Sequence, residues 1–395
     1  MDFLFLQIQK TQNMNRHINI TNHVVALSSI LLLSFLSSLS ACPTDRLYNN
    51  PNQTTKTALS QNTTEKTDSI LSKAIQLIDS KEYLEANRIL QNAINTGSDD
   101  IRLHYEYAWC FYCMKDYSRA VDILKHLTTR TDVTAEVFQL LGNSLDMAGR
   151  KGDAYDAYRK GLSLFPNAGC LFLELGNMKA TEGDFRNAIL LYEEGISRQP
   201  EFASNYYRAA LLFFDSTEEV WGIAYGELFM LIERTDSDRL RDMSKRLYET
   251  YQANISFKRG ETPQVDFDTD VIRYSDSPSR PNLYPAIYRE LMQKACIGER
   301  HCDLTSLYRI RNRFHTLFEQ EASSFVNILS AYHGNIIKAG HFEAFTYWLL
   351  GYGNTAQAAA WIKENKSKWT AFLQWYDNNQ IEITPQNTFT RRNME

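Results

Sequence analysis

The chain has 395 residues, with 42 basic against 47 acidic side chains and a formal net charge of -5. Its 44% of hydrophobic and 23% of charged residues exclude a largely disordered or collagen-like protein, and its length allows two or three domains. The mild acidity argues against the basic face that nucleic-acid binding needs, so no nucleic-acid partner is expected. Nine Pro and 17 Gly are few helix breakers for this length and favour a mostly helical protein.

The amino-terminal segment has the pattern of a secretory signal. An uncharged run of apolar residues and Ser over 24–39 follows the basic residues Lys10 and Arg16 and ends in small residues before Cys42. This run is shorter than the roughly 20 residues that a spanning helix needs, so a cleaved signal is favoured over a permanent transmembrane anchor. Residues 1–41 are therefore predicted to be a signal peptide.

The signal ends in Leu-Ser-Ala-Cys over 39–42, which resembles the lipobox of bacterial lipoproteins. The resemblance implies that Cys42 becomes the first mature residue and carries acyl chains, which would hold the protein on a membrane without a spanning helix. In the sorting rule of such lipoproteins Asp after the Cys favours the inner membrane, and Pro43 therefore indicates the outer membrane. Residues 42–66, rich in Asn, Thr and Gln, are predicted to form a flexible polar tether.

Small residues recur at one constant spacing, the repeat period, through the middle of the chain. One series is Ala86, Ala120, Ala154, Ala188 and Gly222, and a second, which falls earlier in each unit, is Ala74, Ala108, Gly142, Gly176 and Ala210. The pattern resembles the tetratricopeptide repeat, a helix-turn-helix unit of roughly 34 residues. The resemblance implies a superhelical solenoid with an extended concave binding surface. It places repeats at 67–100, 101–134, 135–168, 169–202 and 203 to about 236.

In that family the groove is lined mainly from the first helix of each unit. Carried onto this chain, the resemblance predicts a partner-binding groove lined by Arg102, Tyr105, Trp109, Tyr112, Gln139, Asn143, Asp146, Asn177, Tyr207 and Arg208. Aromatic rings beside amides suit an extended peptide, because rings bury area at low entropy cost and amides pair with its backbone. The alternative is that the Asn residues are ordinary repeat consensus and that some rings cap the stack.

A carboxylate clamp is a sharper version of this groove. Asn143, Asn177 and Arg208 stand at the positions with which some members of the family grip an acidic chain terminus. The lysines of that clamp are missing, since Gln139 and Ser204 stand in their places. A bound carboxylate would lose much of its charge pairing, which disfavours the clamp.

The carboxyl half has no repeat. The predicted fold is all-α, with a tetratricopeptide-type solenoid of about five repeats followed by a C-terminal helical module whose aromatic residues form its core. After the solenoid (67–236) we expect a capping helix (237–258), a Pro-containing linker or arm (259–285), the aromatic-rich helical module (286–379) and a polar tail (380–395).

Alternating carboxylates in the linker admit a calcium hypothesis. Asp266, Asp268 and Asp270 alternate with Val265, Phe267, Thr269 and Val271, but an EF-hand loop needs Gly where Val271 stands and an acid where Ser277 stands. An extended arm with one apolar edge laid on the helices is therefore favoured.

Catalytic motifs are missing from the sequence: there is no phosphate loop, no nucleophile elbow and no His-Glu-x-x-His helix. His315, His333 and His341 are the candidate cluster, but their spacing fits no common ligand pattern, so ordinary core or helix-end histidines are favoured over a metal or catalytic site. No cofactor and no metal are predicted. Cys296 and Cys302 flank a short loop and are candidates for a disulfide.

The sequence thus predicts a lipid-anchored envelope protein with a non-catalytic solenoid that binds a protein or peptide. Two alternatives stay open. One is an architectural protein that assembles by stacking solenoid ends, and the other is an enzyme with its site in the C-terminal module.

Overall fold

The computed structural model describes residues 58–233, 237–267 and 283–394. The predicted signal peptide and Cys42 lie outside these residues, as does most of the tether. Helix α1 (Ala58–Asp79) begins inside the predicted tether 42–66, so the tether prediction is wrong for its last residues. The reason is packing, because α1 is the first helix of the first repeat and buries its apolar face in the core of that repeat.

The described residues 58–233 form five helix-turn-helix units. The hairpins are α1 with α2 (Tyr83–Asn95), α3 (Ile101–Cys113) with α4 (Tyr117–Leu127), α5 (Ala135–Met147) with α6 (Lys151–Leu164), α7 (Gly169–Thr181) with α8 (Phe185–Arg198), and α9 (Ala203–Phe214) with α10 (Glu219–Ile232). Helices α3, α5, α7 and α9 begin one repeat period apart, and so do the second helices of all these units. The first helices of repeats two to five thus begin at 101, 135, 169 and 203, where the sequence pattern places the repeat starts.

Glycines allow the two helices of a repeat to cross closely. A Cβ atom on Gly142 of α5 would lie 2.1 Å from the ring of Tyr158 on α6, and one on Gly176 of α7 would lie 2.3 Å from the ring of Tyr192 on α8. No real Cβ approaches a ring so closely, so only glycine fits at these two crossings while the tyrosines keep their place.

The turn inside each of the first four repeats uses one residue in the left-handed backbone region. These residues are Lys81 and Lys115 (both φ 64°) and Gly149 and Gly183 (both φ 79°), again one repeat period apart. Glycine adopts this conformation freely, whereas lysine is strained there. The first two repeats therefore keep the turn geometry at a cost in stability.

The solenoid is closed by a helix and a short arm. Helix α11 (Asp238–Asn254) lies within the range 237–258 predicted for a capping helix, and strand β1 (Ile255–Ser256) pairs antiparallel with β2 (Gln264–Val265). Phe267 after β2 is fully buried against Tyr251 and Tyr288. This described part of the linker packs on the helices, whereas Asp268 and Asp270 lie outside the described residues.

The C-terminal module is helical and packs on the last repeat. Its helices are α12 (Leu283–Ala295), α13 (Leu304–Glu321), α14 (Ile328–Lys338), α15 (Phe342–Leu350), α16 (Thr355–Glu364) and α17 (Lys366–Asn378). Phe345, Trp348, Phe372 and Tyr376 pack ring against ring inside the module. Helix α10 is buried along nearly its whole length, because the module covers the face that the solenoid leaves open.

Part of the polar tail 380–395 is buried. Thr388, Phe389, Thr390 and Arg391 are buried, and Arg391 begins a last short helix, α18 (Arg391–Met394). The end of the chain thus returns to the solenoid and packs against it.

Candidate functional site

Seven of the ten predicted groove residues are half-exposed on the first helices of repeats two to four. Arg102 on α3 is one of them, and the other six are Trp109 and Tyr112 on α3, Gln139, Asn143 and Asp146 on α5, and Asn177 on α7. These three helices are neighbours in the stack. The six side chains, which we call the groove set, therefore form one polar and aromatic surface across three repeats.

The aromatic part of the groove set is built on α3. The rings of Trp109 and Tyr112 are stacked with centroids 5.5 Å apart, and Tyr117 at the start of α4 meets the Tyr112 ring edge-on at the same distance. Burial, and after it the nearby Glu174 carboxylate, raises the pKa of Tyr112. Its hydroxyl therefore stays protonated at neutral pH, so it can donate a hydrogen bond.

The amide part of the groove set converges on one carboxylate. Glu174 on α7, only 7% exposed, accepts hydrogen bonds from the side-chain amides of Gln139 at 2.8 Å, Asn143 at 3.5 Å and Asn177 at 3.0 Å. The donors come from α5 and α7, so the carboxylate ties two repeats together. Each amide nitrogen carries two N–H groups and uses one of them here.

Two buried tyrosines fix the orientation of these amides. Tyr158 donates to Asn143 Oδ1 at 2.6 Å, and Tyr192 donates to Asn177 Oδ1 at 3.0 Å. Because each amide oxygen is occupied, the amide nitrogens point away from the tyrosines and toward Glu174. The glycine crossings described above admit the tyrosine rings, so the repeat spacing itself positions the amides.

Glu174 was not predicted from the sequence, although a signal was available. The same position of four successive repeats holds Glu106, Leu140, Glu174 and Arg208. Charged residues at a repeat position where an apolar residue also occurs are the signal that this position carries a polar contact. The structure makes the clamp hypothesis wrong as stated. Asn143 and Asn177 already hold an internal carboxylate, and a ligand carboxylate would be repelled by it.

Four predicted groove residues serve the stack instead. Tyr105, Tyr207 and Arg208 are at most 7% exposed, so their prediction as groove residues is corrected. Arg102 is half-buried and forms ion pairs with Asp68 of α1 at 2.9 Å and Asp100 at 2.7 Å, which join the first two repeats. First-helix positions near the ends of the solenoid are covered by neighbouring elements, as Tyr207 is by Asp242 and Arg239 of α11.

Two histidines of the C-terminal module meet the solenoid in a largely buried network. His333 Nε2 and Arg311 Nη2 lie 2.9 and 2.8 Å from Glu227 Oε2 on α10, and His315 lies beside His333 with ring centroids 6.5 Å apart. The cavity at this cluster has a volume of about 40 Å³. That volume suits one or two water molecules and is far below that of a ligand pocket.

The third histidine is placed elsewhere. His341 lies next to Trp375 and Phe372 and does not join the other two. Burial lowers the pKa of His333, so this ring is neutral near pH 7. Although burial raises the pKa of Glu227, Arg311 and His333 outweigh it and lower that pKa. The cluster is thus a buried ion-pair network that joins the module to the last repeat.

A larger cavity of about 410 Å³ lies between α11 and helices α15 to α17. Its walls include Trp348, Trp369, Tyr376 and Leu240, with one carboxylate, Glu233. Arg239 already pairs with that carboxylate at 2.5 Å. The volume lies in the range of small-molecule pockets, and its lining suits an apolar group.

Cys296 and Cys302, the candidates for a disulfide, are both free thiols. Burial raises the pKa of each thiol to about 12, which keeps both protonated. Within the described ranges no three His, Cys, Asp or Glu side chains come close enough to hold a metal ion. Among the helices that the structure describes, none combines the length and the apolarity needed to cross a membrane.

The fold and the repeat spacing define an all-α solenoid of the tetratricopeptide type with a helical cap. No protein-family model matches the chain, and no curated protein matches it significantly.

Several solved structures match the chain at low similarity. The crystal structure of MamA is 18% identical with a TM-score of 0.32 and covers 40% of this chain and 93% of its own. YrrB, described as a TPR protein with an unusual peptide-binding site, is 16% identical with a TM-score of 0.29 over 45% of this chain and 93% of its own. The C-terminal part of a TPR repeat-containing protein from Cytophaga hutchinsonii is 13% identical with a TM-score of 0.33 over 78% and 96%. The function is therefore argued from the residues of this chain.

Proposed function

We propose that the protein is a lipid-anchored scaffold of the bacterial envelope whose groove set binds an extended segment of a partner protein without catalysis. The observation that carries the proposal is the preorganised row of amides on α5 and α7 beside the stacked rings of Trp109 and Tyr112. Preorganised donors lower the entropy cost of binding, and the rings supply apolar area.

The chemistry of the groove set limits the partner. Amide N–H groups can donate to the carbonyl groups of an extended backbone, and the rings can accept a side chain of the same segment. The Glu174 carboxylate at the centre disfavours an acidic segment and a free C-terminal carboxylate. The proposed ligand is therefore an internal segment, neutral or basic at the residues that meet α7.

The test is capture from the envelope. Soluble protein without residues 1–41 and with Cys42→Ala is immobilised and exposed to detergent-extracted envelope of the same organism. We expect it to retain one or a few envelope proteins that a Trp109→Ala, Asn143→Ala variant loses. Tyr155→Ala is the matched control, since this ring is 36% exposed on the second helix of repeat three and should not affect capture. Equal capture by all three proteins would show that the groove set is not the site.

The anchor is proposed on the lipobox pattern alone and has its own test. In the full chain, Cys42→Ala should move the protein from the membrane fraction to the soluble fraction, because acyl chains attached to Cys42 supply the attachment. Retention of the variant on the membrane after washing with high salt would contradict lipid anchoring through Cys42.

A further inference from the structure

The end of the chain occupies a cleft formed by α8, α10 and α12. Phe389, Thr390 and Arg391 are each at most 1% exposed. The stretch 377–387 that leads to them is exposed or half-exposed throughout. A short buried segment is thus joined to the module by a solvent-exposed stretch, in the way that a tethered ligand is joined to its receptor by a linker.

An arginine fills the polar end of the cleft. The Nε and Nη2 atoms of Arg391 lie 3.3 and 3.4 Å from the two oxygens of Glu193, a carboxylate that is fully buried on α8. Tyr225 of α10 donates to Glu193 at 2.7 Å and accepts from the backbone N–H of Arg391 at 2.9 Å. A buried carboxylate without a cation is unfavourable, so the cleft favours a positively charged group at this point.

An aromatic ring fills the apolar end. Phe389 lies between Trp221 of α10 and Tyr284 of α12, with ring centroids 5.5 and 5.2 Å away. Outside the cleft, Arg392 pairs with the half-buried Glu194 at 3.0 Å. The cleft therefore distinguishes a sequence by two buried side chains, an aromatic residue and an arginine two positions later, with a second basic residue outside.

We propose that this cleft is a binding site for peptide segments that carry an aromatic residue two positions before an arginine, and that the C terminus of the chain is its resident, displaceable ligand. The site is separate from the groove set, because it is built on the second helices α8 and α10 and on α12. It does not depend on the proposed groove function. A tethered segment has an effective concentration on the order of millimolar, so a partner segment competes only when it is itself held close or when the tail is released.

The experiment cleaves the exposed stretch 377–387 in the folded protein, so that the buried segment is no longer covalently attached. A protease recognition sequence is inserted between Gln380 and Ile381, in the exposed stretch, and the full-length purified protein is cleaved. The labelled synthetic peptide 381–395 is then added in excess, and its exchange into the cleaved protein is followed by fluorescence anisotropy. We expect saturable binding and release of the original segment.

Peptide variants test the assigned chemistry on unchanged protein. Arg391→Ala and Phe389→Ala peptides should bind at least about 10-fold more weakly, because each loses a buried contact. The Arg392→Ala peptide should change by less than about 3-fold, because its ion pair is exposed to solvent.

Three results would overturn the proposal. The first is failure of the original segment to exchange, and the second is equal binding of all peptides. The third is loss of the helical signal on cleavage, which would make the tail a part of the core and not a ligand.

Discussion

The glycine crossings give the sharpest test of the repeat packing. Replacing Gly142 by Ala improves helix propensity by about 1 kcal/mol, since Gly142 lies in the interior of α5. The new Cβ would lie 2.1 Å from the Tyr158 ring, so the ring must move. Overpacking of a core costs about 1–3 kcal/mol, and displacing the ring also loses the 2.6 Å hydrogen bond to Asn143, for about 1 kcal/mol more. We expect the free energy of unfolding to fall by about 2 kcal/mol.

Gly152 provides the matched control in the same repeat. It lies near the start of α6, and a Cβ there would meet no atom within 4 Å. Gly152→Ala should therefore be neutral or raise stability by up to about 1 kcal/mol. Urea unfolding followed by circular dichroism at 222 nm measures both variants. If Gly142→Ala is as stable as Gly152→Ala, the close approach of Tyr158 does not exist in the protein and the account of the repeat crossing is wrong.

Three further predictions concern strain and buried charge. Lys115→Gly should raise stability by about 1 kcal/mol by relieving the left-handed backbone, whereas Lys125→Gly in the last turn of α4 should lower it by up to about 1 kcal/mol; opposite shifts of the urea midpoints would confirm this. Arg311→Met should lower the free energy of unfolding by about 3–5 kcal/mol because Glu227 stays buried, and Arg311→Met with Glu227→Met should recover most of that loss. Burial lowers the pKa of His333 in the folded protein, so its contribution to the free energy of unfolding is complete above pH 6.5 and is lost as the pH falls. Between pH 7.5 and pH 5.5 the free energy of unfolding should therefore fall more in the wild type than in His333→Gln. Equal falls in the two proteins would refute this prediction.

The repeat register could be predicted from the sequence because it rests on local spacing. Small residues are required wherever helices cross, and the helix starts of the structure follow the spacing of those residues. The left-handed turns at Lys81 and Lys115 could also have been predicted from the sequence, since Gly149 and Gly183 stand at the same repeat position. Lysine does not by itself indicate a turn, so this prediction requires comparing the residues at the same position of successive repeats.

The contacts that the sequence did not predict are long-range. Arg391 meets Glu193 across 198 positions of the chain, and a polar tail gives no periodic signal that it will be buried. Likewise Tyr105 and Tyr207 occupy positions that line the groove in the repeat family, yet their exposure depends on which elements cover each end of the solenoid. Spacing places a side chain on a helix face, whereas burial is decided by the partners of that face.

The central claim is that a partner segment contacts the groove set, and site-specific photocrosslinking in the living cell tests it most directly. A photoreactive phenylalanine analogue is placed at Met147, which is 40% exposed at the end of α5 next to Asp146, and separately at Tyr155, which is 36% exposed on α6. The account predicts a discrete crosslinked product from Met147 that disappears with Trp109→Ala, Asn143→Ala, and no such product from Tyr155. A product from Tyr155 alone, or a Met147 product that survives the groove changes, would contradict it.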